Sequence, residues 1–379
     1  MEEARGQRSE VREAGSDSSA PNSPSRGERG ALESADNPLA SGLWPLASSS
    51  RFKANRRGYY AAVLLVLLFT LSLFAELLAN DRPLLVSYKG HLLFPALFTY
   101  TEKDTFGGAL ESEADYTDPW VIGEIRAHGW MLTAPIPYDY RSINFHIARA
   151  PAAPSAENWL GTDDQARDVL ARILYGFRIS MGFAMVLMAM ASVIGITVGA
   201  VSGYFGGTLD IVLQRIIEIW EGLPMLFLLI ILSAMVTPSL PWLFAIILLF
   251  RWMAPVDLVR AECLRVRNFD YVRAARALGL SELTILRRHV LPNALVSVVT
   301  YLPFYITGVI TTLTSLDFLG FGLPPGSASL GELLAQGKNN PQSPWLGIIG
   351  FLTLAITLTL WVFVGEAVRD AFNPRKVGR

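Results

Sequence analysis

The chain has 379 residues, of which 51% are hydrophobic and 17% are charged, and its mean hydropathy is +0.36. These values exclude an ordinary soluble domain and indicate an integral membrane protein. The formal net charge of -1 identifies no partner, and the single cysteine, Cys263, excludes an internal disulfide.

The histidines are scattered singly along the chain, at His91, His128, His146 and His289. This spacing favours packing or surface roles over metal ligation, because a zinc site needs several Cys or His ligands together. No cofactor, metal or nucleic-acid partner is predicted.

Residues 1–57 are predicted to form a disordered cytoplasmic tail. The first 50 residues are rich in Ser, Glu, Arg, Pro and Gly, so they bury too little apolar surface to offset chain entropy. A signal peptide is not expected, because the first apolar run begins only near Tyr59, exceeds an h-region in length and precedes no small-residue cleavage site.

The first transmembrane helix is predicted at 58–80, around the run YYAAVLLVLLFTLSLFAELLA, which has about the 20 residues needed to cross a hydrocarbon core. Basic residues precede the run at Arg51, Lys53, Arg56 and Arg57. The positive-inside rule therefore places the N-terminus in the cytoplasm.

Residues 81–173 are predicted to form a small periplasmic insert with some β structure. The segment 83–95 indicates two short strands around a Lys89-Gly90 turn, and the Pro-, Gly-, Trp- and Tyr-rich remainder indicates loops. An insert without chemistry is favoured over a metal site, because the acidic residues lack the spacing of a calcium loop. These acidic residues include Asp104, Glu111, Glu113 and Asp115.

Residues 174–370 are predicted to hold five more spans, which gives an all-α polytopic protein with six transmembrane helices. The spans lie near 181–201, 223–236, 242–256, 296–316 and 345–365. The first of these five is dense in Gly, Ala and Ser, which permit close helix contact. The next two are short, and a re-entrant hairpin that returns the chain to the same side is their alternative. Residues 371–379 are a basic cytoplasmic tail.

This topology places residues 257–292 in the cytoplasm. The loop between the last two spans offers only Lys338 as a basic residue, so the charge bias agrees with the topology. The cytoplasmic loop contains seven arginines: Arg260, Arg265, Arg267, Arg273, Arg276, Arg287 and Arg288.

The elbow, residues 269–292, is predicted to be two short helices. Asp270 caps the first, Gly279 takes the C′ position after Leu278, and Ser281 caps a second helix that ends at Pro292. Each helix is about 13 Å long, too short to cross a bilayer. The apolar faces are Val272, Ala275 and Leu278 on the first helix, and Leu283, Leu286 and Val290 on the second. The residues alone leave a protein partner and an anionic lipid surface nearly even.

The stretch YVRAARALGLSELTILRRHVLPN resembles the EAA loop of permease subunits in bacterial ABC importers. The family pattern is Glu-Ala-Ala, then a Gly four residues after the second Ala, then Leu-Pro. Ala274, Ala275, Gly279, Leu291 and Pro292 match, while Arg273 stands where Glu is common. The form RHVLPN, with His289, is typical of the peptide-importing branch.

Two further stretches resemble the dipeptide/oligopeptide class of these permeases. They are LGTDDQARDVLARILYGFRISM at 160–181, where Ala166 replaces a usual Gly, and TSLDFLGFGLPPGSASLGELL at 314–334. Together the matches cover most of 158–374. The insert segments NDRPLLVSYKG and YTDPW make the chain similar to the YejE-type permeases of peptide and microcin C import.

The resemblance implies a type I importer permease that forms half of a pathway for oligopeptides from periplasm to cytoplasm, with peptide antibiotics such as microcin C as a further candidate substrate. It also implies a location in the bacterial inner membrane and a second permease, a cytosolic ABC ATPase and a periplasmic peptide-binding protein as partners. The residues expected to couple to the ATPase are Arg273, Ala274, Ala275, Gly279, His289, Leu291 and Pro292.

The chain itself is not expected to be an enzyme. A P-loop needs GxxxxGK[ST], whereas GELLAQGKN has one residue too many between Gly331 and Gly337, and Asn339 replaces Ser/Thr. ATP hydrolysis is therefore assigned to a partner subunit.

The alternative function is a stand-alone ion-coupled secondary transporter. Such proteins usually carry acidic residues in mid-membrane, whereas Glu76 and Asp317 lie near span ends. Arg251 is the one deep charge, and a packed or snorkelling residue near the cytoplasmic end of its span is favoured over a substrate contact.

Overall fold

A computed structural model describes residues 44–372, apart from 234, 237, 238 and 325. The predicted tail up to residue 43 and the predicted C-terminal tail from residue 373 lie outside the described residues. Trp44–Ala54, part of the tail that was predicted to be disordered, forms helix α1. The basic Arg51 and Lys53 in its last turn suit the carbonyl end of a helix.

The described chain is mostly helical, with one small sheet. A π-helical turn, Leu286–Val290, joins helix α12 (Glu282–Ile285) to helix α13 (Leu291–Phe318). The remaining helices are α2 (Arg56–Leu73), α3 (Ala75–Leu78), α4 (Glu102–Phe106), α5 (Pro119–His128), α6 (Val169–Phe205), α7 (Gly207–Glu221), α8 (Met225–Ser233), α9 (Leu240–Arg251), α10 (Ala254–Val266), α11 (Asp270–Ala277), α12 (Glu282–Ile285), α13 (Leu291–Phe318), α14 (Leu330–Asn339) and α15 (Pro344–Phe372).

Within the described residues, five helical segments are long and apolar enough to cross a membrane: Arg56–Leu73, Val169–Phe205, Leu240–Val266, Glu282–Phe318 and Pro344–Phe372. They correspond to five of the six predicted spans. The predicted span at 223–236 instead contains α8, whose 9 residues rise about 13 Å and do not cross a core of about 30 Å alone. Only three residues separate α8 from the amphipathic α7. The predicted class, a helical polytopic membrane protein with a small sheet, is confirmed.

The α6 helix begins earlier than predicted. It has 37 residues and starts at Val169, so the expected boundary between insert and membrane domain at 173/174 falls inside it. Asp168 caps this end by accepting a hydrogen bond from the Ala171 N–H at 2.8 Å. Hydropathy did not predict this first part of the helix, because Arg172 and Arg178 lower its mean hydropathy. Packing stabilises it.

Glycines on α6 bring its backbone against α10. A Cβ added at Gly199 would lie 2.6 Å from the Val256 carbonyl oxygen, and one at Gly203 would lie 2.5 Å from the Arg260 carbonyl oxygen. Any side chain at these positions forces the helices apart. The predicted close contact of this small-residue span is confirmed.

The insert contains a three-stranded antiparallel sheet in the order β2-β1-β3, formed by β1 (Leu85–Tyr88), β2 (His91–Leu93) and β3 (Gly129–Leu132). Lys89 and Gly90 have φ values of 48° and 84°. Two successive positive φ angles indicate a type I′ turn, so the predicted hairpin is confirmed. Sequence patterns missed β3, because its partner strand lies forty residues earlier in the chain and only that pairing defines it.

Candidate functional site

The first helix of the elbow is α11. Its N-cap is Phe269, whose backbone is extended, and Asp270 is the first helical residue rather than the predicted N-cap. The prediction was wrong by one residue, because the chain bends at Phe269. A carboxylate in the first turn still interacts favourably with the helix dipole.

Gly279 ends α11. It has a φ of 79° and follows the C-cap residue Leu278. The Gly279 N–H donates to the Arg276 carbonyl at 3.0 Å, and the Leu280 N–H donates to the Ala275 carbonyl at 3.3 Å. These two bonds form a Schellman motif, which confirms the predicted C′ position of Gly279.

The second elbow helix, α12, is shorter than predicted. The helical backbone nevertheless continues through the π-helical turn into α13. Ser281 caps α12 by accepting a hydrogen bond from the Thr284 N–H, as predicted. Pro292 does not end the helix: it lies in the first turn of α13, where a missing N–H is tolerated. The π-helical turn before it, closed by a bond from the Leu291 N–H to the Leu286 carbonyl, carries the helical backbone past the proline.

One side of the elbow packs into an apolar core with α6, α10 and α13. Leu278 and Leu283, which belong to the predicted apolar faces of the two helices, are 83% and 52% exposed, because Leu278 lies beyond the last turn of α11 and α12 turns Ile285 inwards instead. The core consists of Ala200, Tyr204, Val259, Cys263, Val266, Val272, Ala275, Ile285, Leu286, Val290, Ala294 and Val298.

The residues of the EAA-like motif divide between this core and the surface. Ala275 is buried, whereas the Arg273 side chain is 67% exposed and its nearest carboxylate, on Asp270, lies 3.9 Å away. The structure therefore assigns Ala275 to packing. The exposed members are Arg273, Ala274, Gly279 and Pro292, and the half-buried ones are His289 and Leu291.

A polar group that we call the elbow clamp ties the two elbow helices to the end of α6. Arg276 Nε donates to Glu282 Oε1 at 2.9 Å, and Arg276 Nη2 donates to Glu282 Oε2 at 3.1 Å. The Tyr204 hydroxyl of α6 donates to the same carboxylate and accepts from Arg276 Nη2 at 3.3 Å. The Glu282 carboxylate and Tyr204 raise the pKa of Arg276 above its ordinary value, so the clamp stays charged.

Two other arginines of the 257–292 segment anchor α10 to the region where α6 ends. Arg260 donates from Nε and Nη2 to the two oxygens of Asp210, at 2.6 and 2.8 Å, and this contact lowers the pKa of Asp210. Arg267 donates to the Gly203 and Tyr204 carbonyls. From the sequence, these arginines supported only the predicted side of the membrane, because no neighbouring residue indicates a contact with α6 or α7.

A second polar group, the insert cluster, joins the two other family-like stretches. Arg167 donates to Asp163 at 2.7 Å and to Glu332 at 2.9 Å, while Arg172 donates to Glu332 at 2.8 Å. Arg172 also donates to the Ser327 and Tyr140 carbonyls. The side chains of Asp163 and Arg172 are 0% exposed and that of Arg167 is 3% exposed. The cluster therefore fixes the loop before α14 and the insert to the start of α6.

The acidic residues that could serve ion coupling, and the stretch that resembles a P-loop, make structural contacts. Glu76 pairs with Arg178 at 2.8 Å, and Asp317 accepts hydrogen bonds from the Leu323 N–H and the Ser329 hydroxyl. The P-loop-like stretch forms helix α14, in which Gly337 lies against Gly347 of α15. A helix packed in this way offers no backbone cradle for phosphate.

The sequence matches the family model described as the binding-protein-dependent transport system inner membrane component, over residues 195–378. The inner membrane ABC transporter permease protein YejE of Escherichia coli is 57% identical over 86% of this chain and 96% of that protein. The peptidoglycan transport system permease protein YejE of Agrobacterium fabrum is 53% identical over 86% of this chain and 92% of that protein.

A solved structure of the MetNI methionine ABC transporter, in an inward-facing conformation, has a TM-score of 0.46 and 18% identity, covering 53% of this chain and 97% of that one. At 57% identity over nearly the full length of a curated permease, relationship is established by sequence. The chain belongs to the inner membrane permeases of binding-protein-dependent ABC transporters.

Proposed function

We propose that this chain is the permease subunit of an importer that moves peptides from the periplasm to the cytoplasm, and that it forms one half of the pathway. Support for the substrate class comes from relatives named as peptidoglycan and dipeptide transport permeases, the latter from Bacillus subtilis at 32% identity. Both termini lie in the cytoplasm in this proposal, consistent with the arginine-rich 257–292 segment.

The elbow is the proposed docking surface for a cytosolic ATPase, and the contacts that hold it to α6 and α13 are the observation that carries the proposal. Leu278 and Leu283 are largely exposed beside the small residues Ala274 and Gly279, so the surface is low and has apolar side chains among its charged ones. The elbow clamp and the buried core hold that surface against α6 and α13. A rigid elbow transmits motion of an ATPase to both helices, which is a rigid-body mechanism.

A protein partner accounts for this surface better than anionic lipid does. A lipid-bound helix inserts a continuous apolar face beneath a basic one. In the elbow the apolar face of α11 is instead buried in protein, at Val272 and Ala275, and the exposed leucines lie near its turn. ATP hydrolysis belongs to the docked subunit in this proposal, and a second permease and a peptide-binding protein complete the assembly.

The test replaces Gly279 with two different residues. Gly279 has a positive φ and a Cβ added there meets no atom within 4 Å, so a large side chain projects from the docking surface. We expect Gly279→Trp to insert normally but to abolish co-purification with the ATPase and peptide-stimulated ATP hydrolysis. Gly279→Asn is the matched control, because Asn tolerates a left-handed backbone and is small.

Both variants are measured in membranes that contain the partner subunits, with uptake of a labelled oligopeptide as the second measurement. Uptake and co-purification at wild-type levels in Gly279→Trp would show that the ATPase docks elsewhere. Equal loss in both variants would trace the defect to backbone strain rather than to a blocked surface. Uptake that continues without any ATPase would overturn the proposed function itself.

A further inference from the structure

Arg251 occupies an unusual position for a charged residue. It is the last residue of α9, at the break before α10, within the 27-residue candidate span Leu240–Val266. A charge within an apolar span is expensive and usually marks a polar pathway or a specific partner. From the sequence, a packed or snorkelling residue near the cytoplasmic end of the span is favoured over a substrate contact, and the bonds of the guanidinium to α13 agree with packing.

The Arg251 guanidinium is held in place but not neutralised. Its Nη2 donates to the Gly308 carbonyl at 3.0 Å and to the Thr312 hydroxyl, both on α13. None of the ion pairs formed among the described residues includes Arg251. The N–H groups on Nε and Nη1 thus have no acceptor in that part of the chain, which leaves directed donors and a full positive charge.

The guanidinium lines a cavity of about 530 Å³ along α13, within the size range of small-ligand sites. Thr307, Thr311 and Ser315, spaced four residues apart, line the same cavity and form a hydroxyl strip on one face of α13. A second cavity of about 640 Å³ shares Thr311 and Ser315 and extends to Lys338. The strip therefore runs between two cations.

The hydroxyl strip is set to accept hydrogen bonds. The Thr307 hydroxyl donates to the Phe304 carbonyl at 2.6 Å, and the Thr311 hydroxyl donates to the Thr307 carbonyl at 2.8 Å. The hydroxyls of Thr307 and Thr311 thus donate their one proton within the helix and keep lone pairs that can accept a bond from an incoming N–H. A peptide presents these complementary groups, since it has backbone N–H donors and at least one carboxylate.

We propose that Arg251 and the hydroxyl strip Thr307, Thr311 and Ser315 form a peptide subsite within the translocation pathway, in which Arg251 binds a carboxylate of the passing peptide. The inference rests on the proposed function and adds a specificity to it. The carboxylate belongs to the C-terminus or to an acidic side chain, and both sources present the same chemistry.

The test uses the complete transporter, with the ATPase, second permease and binding protein, reconstituted in lipid vesicles. Three labelled peptides differ only in their carboxylates: a neutral peptide with a free C-terminus, its C-terminal amide, and the amide with one Glu side chain. Uptake by Arg251→Gln is divided by wild-type uptake for each peptide. This ratio cancels the preferences of the binding protein, which is the same in both assays.

We expect the ratio for the free acid to fall about ten-fold, the loss expected for one hydrogen bond to a charged group, while the neutral amide changes less than two-fold. Loss for the free acid alone assigns the C-terminus, loss for the Glu amide alone assigns the side chain, and loss for both assigns either source. Equal ratios for all three peptides would overturn the subsite. Arg215→Gln, at an exposed arginine paired with Glu218, is the control and should leave all ratios near one.

If Arg251→Gln does not insert, Arg251→Lys carries the test. Lysine keeps the charge but loses the planar set of donors, so we expect a smaller loss, about two- to three-fold, confined to peptides with a carboxylate. The same loss for the neutral amide would overturn the proposal. Failure of the wild-type transporter to import any of the three peptides would instead overturn the proposed function, which separates the two results.

Discussion

The two ends of α6 carry similar chemistry in different surroundings. At the insert end, Arg167 and Arg172 meet Asp163 and Glu332 in a cluster whose arginines are almost fully buried. At the elbow end, the side chains of Arg276 and Glu282 are 50% and 47% exposed. Breaking a buried pair leaves an unpaired charge out of water, whereas water replaces a lost partner at an exposed pair.

This difference lies in how α6 is attached at its two ends. The insert cluster ties α6 to residues far away in sequence, so that end behaves as part of a rigid body with α14. The elbow clamp keeps its geometry by directed hydrogen bonds, and solvent can replace them at little cost to stability. The loss of an ion pair should therefore lower stability more at the insert end than at the elbow end.

The largest expected effect comes from breaking the insert cluster. Asp163→Asn keeps the shape of the side chain but removes one of the two negative charges that face Arg167 and Arg172. Because such charges are costly when unpaired and buried, we expect a loss of about 3–5 kcal/mol in the free energy of unfolding. Thermal unfolding of the purified protein in detergent measures it as a lower midpoint.

Asp164→Asn is the matched control, since Asp164 is the next residue and its side chain is exposed. Its unfolding midpoint should stay close to the wild-type value. If the two variants unfold alike, the insert cluster does not stabilise this end of α6.

The next largest effect comes from separating α6 from α10. Gly199→Leu places a side chain where the Val256 carbonyl and the Val259 side chain already lie within about 3 Å of a Cβ. Overpacking of this kind typically costs about 1–3 kcal/mol. We expect a lower unfolding midpoint and weaker stimulation of ATP hydrolysis by peptide, because α10 leads into the elbow.

The comparison for this variant lies on the same helix. A Cβ added at Gly182 meets no atom within 4 Å, so Gly182→Leu should leave both measurements unchanged. A loss of equal size at Gly182 would mean that leucine disturbs α6 anywhere, and that the close contact with α10 has no special weight.

Local patterns predicted the parts of this structure that short segments determine. The Lys89-Gly90 hairpin, the Gly279 helix end and the long apolar helices all follow from neighbouring residues. The contacts that distinguish the two ends of α6 do not, because their partners are distant in sequence. Arg260 and Asp210 are 50 residues apart, and Arg172 and Glu332 are 160 apart. Charge counting assigned Arg260 to a side of the membrane but not to a partner, and it did not address Arg172.

A smaller effect of opposite sign is expected at Ala166, where related permeases were expected to carry Gly. Ala166 has a φ of 62°, a left-handed backbone that costs an L residue about 1–2 kcal/mol. Glycine removes this strain but gains about 0.4–1 kcal/mol of unfolded-state entropy. Ala166→Gly should therefore raise the free energy of unfolding by roughly 0.5–1 kcal/mol. Ala153→Gly, at an exposed alanine of the same insert without a positive φ, should not stabilise the protein.

The smallest effect on stability is expected where the elbow clamp is broken. Arg276→Gln removes the charge that holds Glu282, but solvent reaches both side chains, so the unfolding midpoint should match the wild type. Coupling should nevertheless suffer, because α11 then loses its bonds to Glu282 of α12 and to Tyr204 of α6. We expect peptide-stimulated ATP hydrolysis of the reconstituted transporter to fall roughly three- to ten-fold. Arg215→Gln is the control, because Arg215 also pairs with a glutamate, Glu218, at an exposed site outside the elbow. A loss of stability in Arg276→Gln as large as in Asp163→Asn would mean that both ends of α6 are equally rigid, and an unchanged rate of hydrolysis would mean that the clamp does not transmit motion.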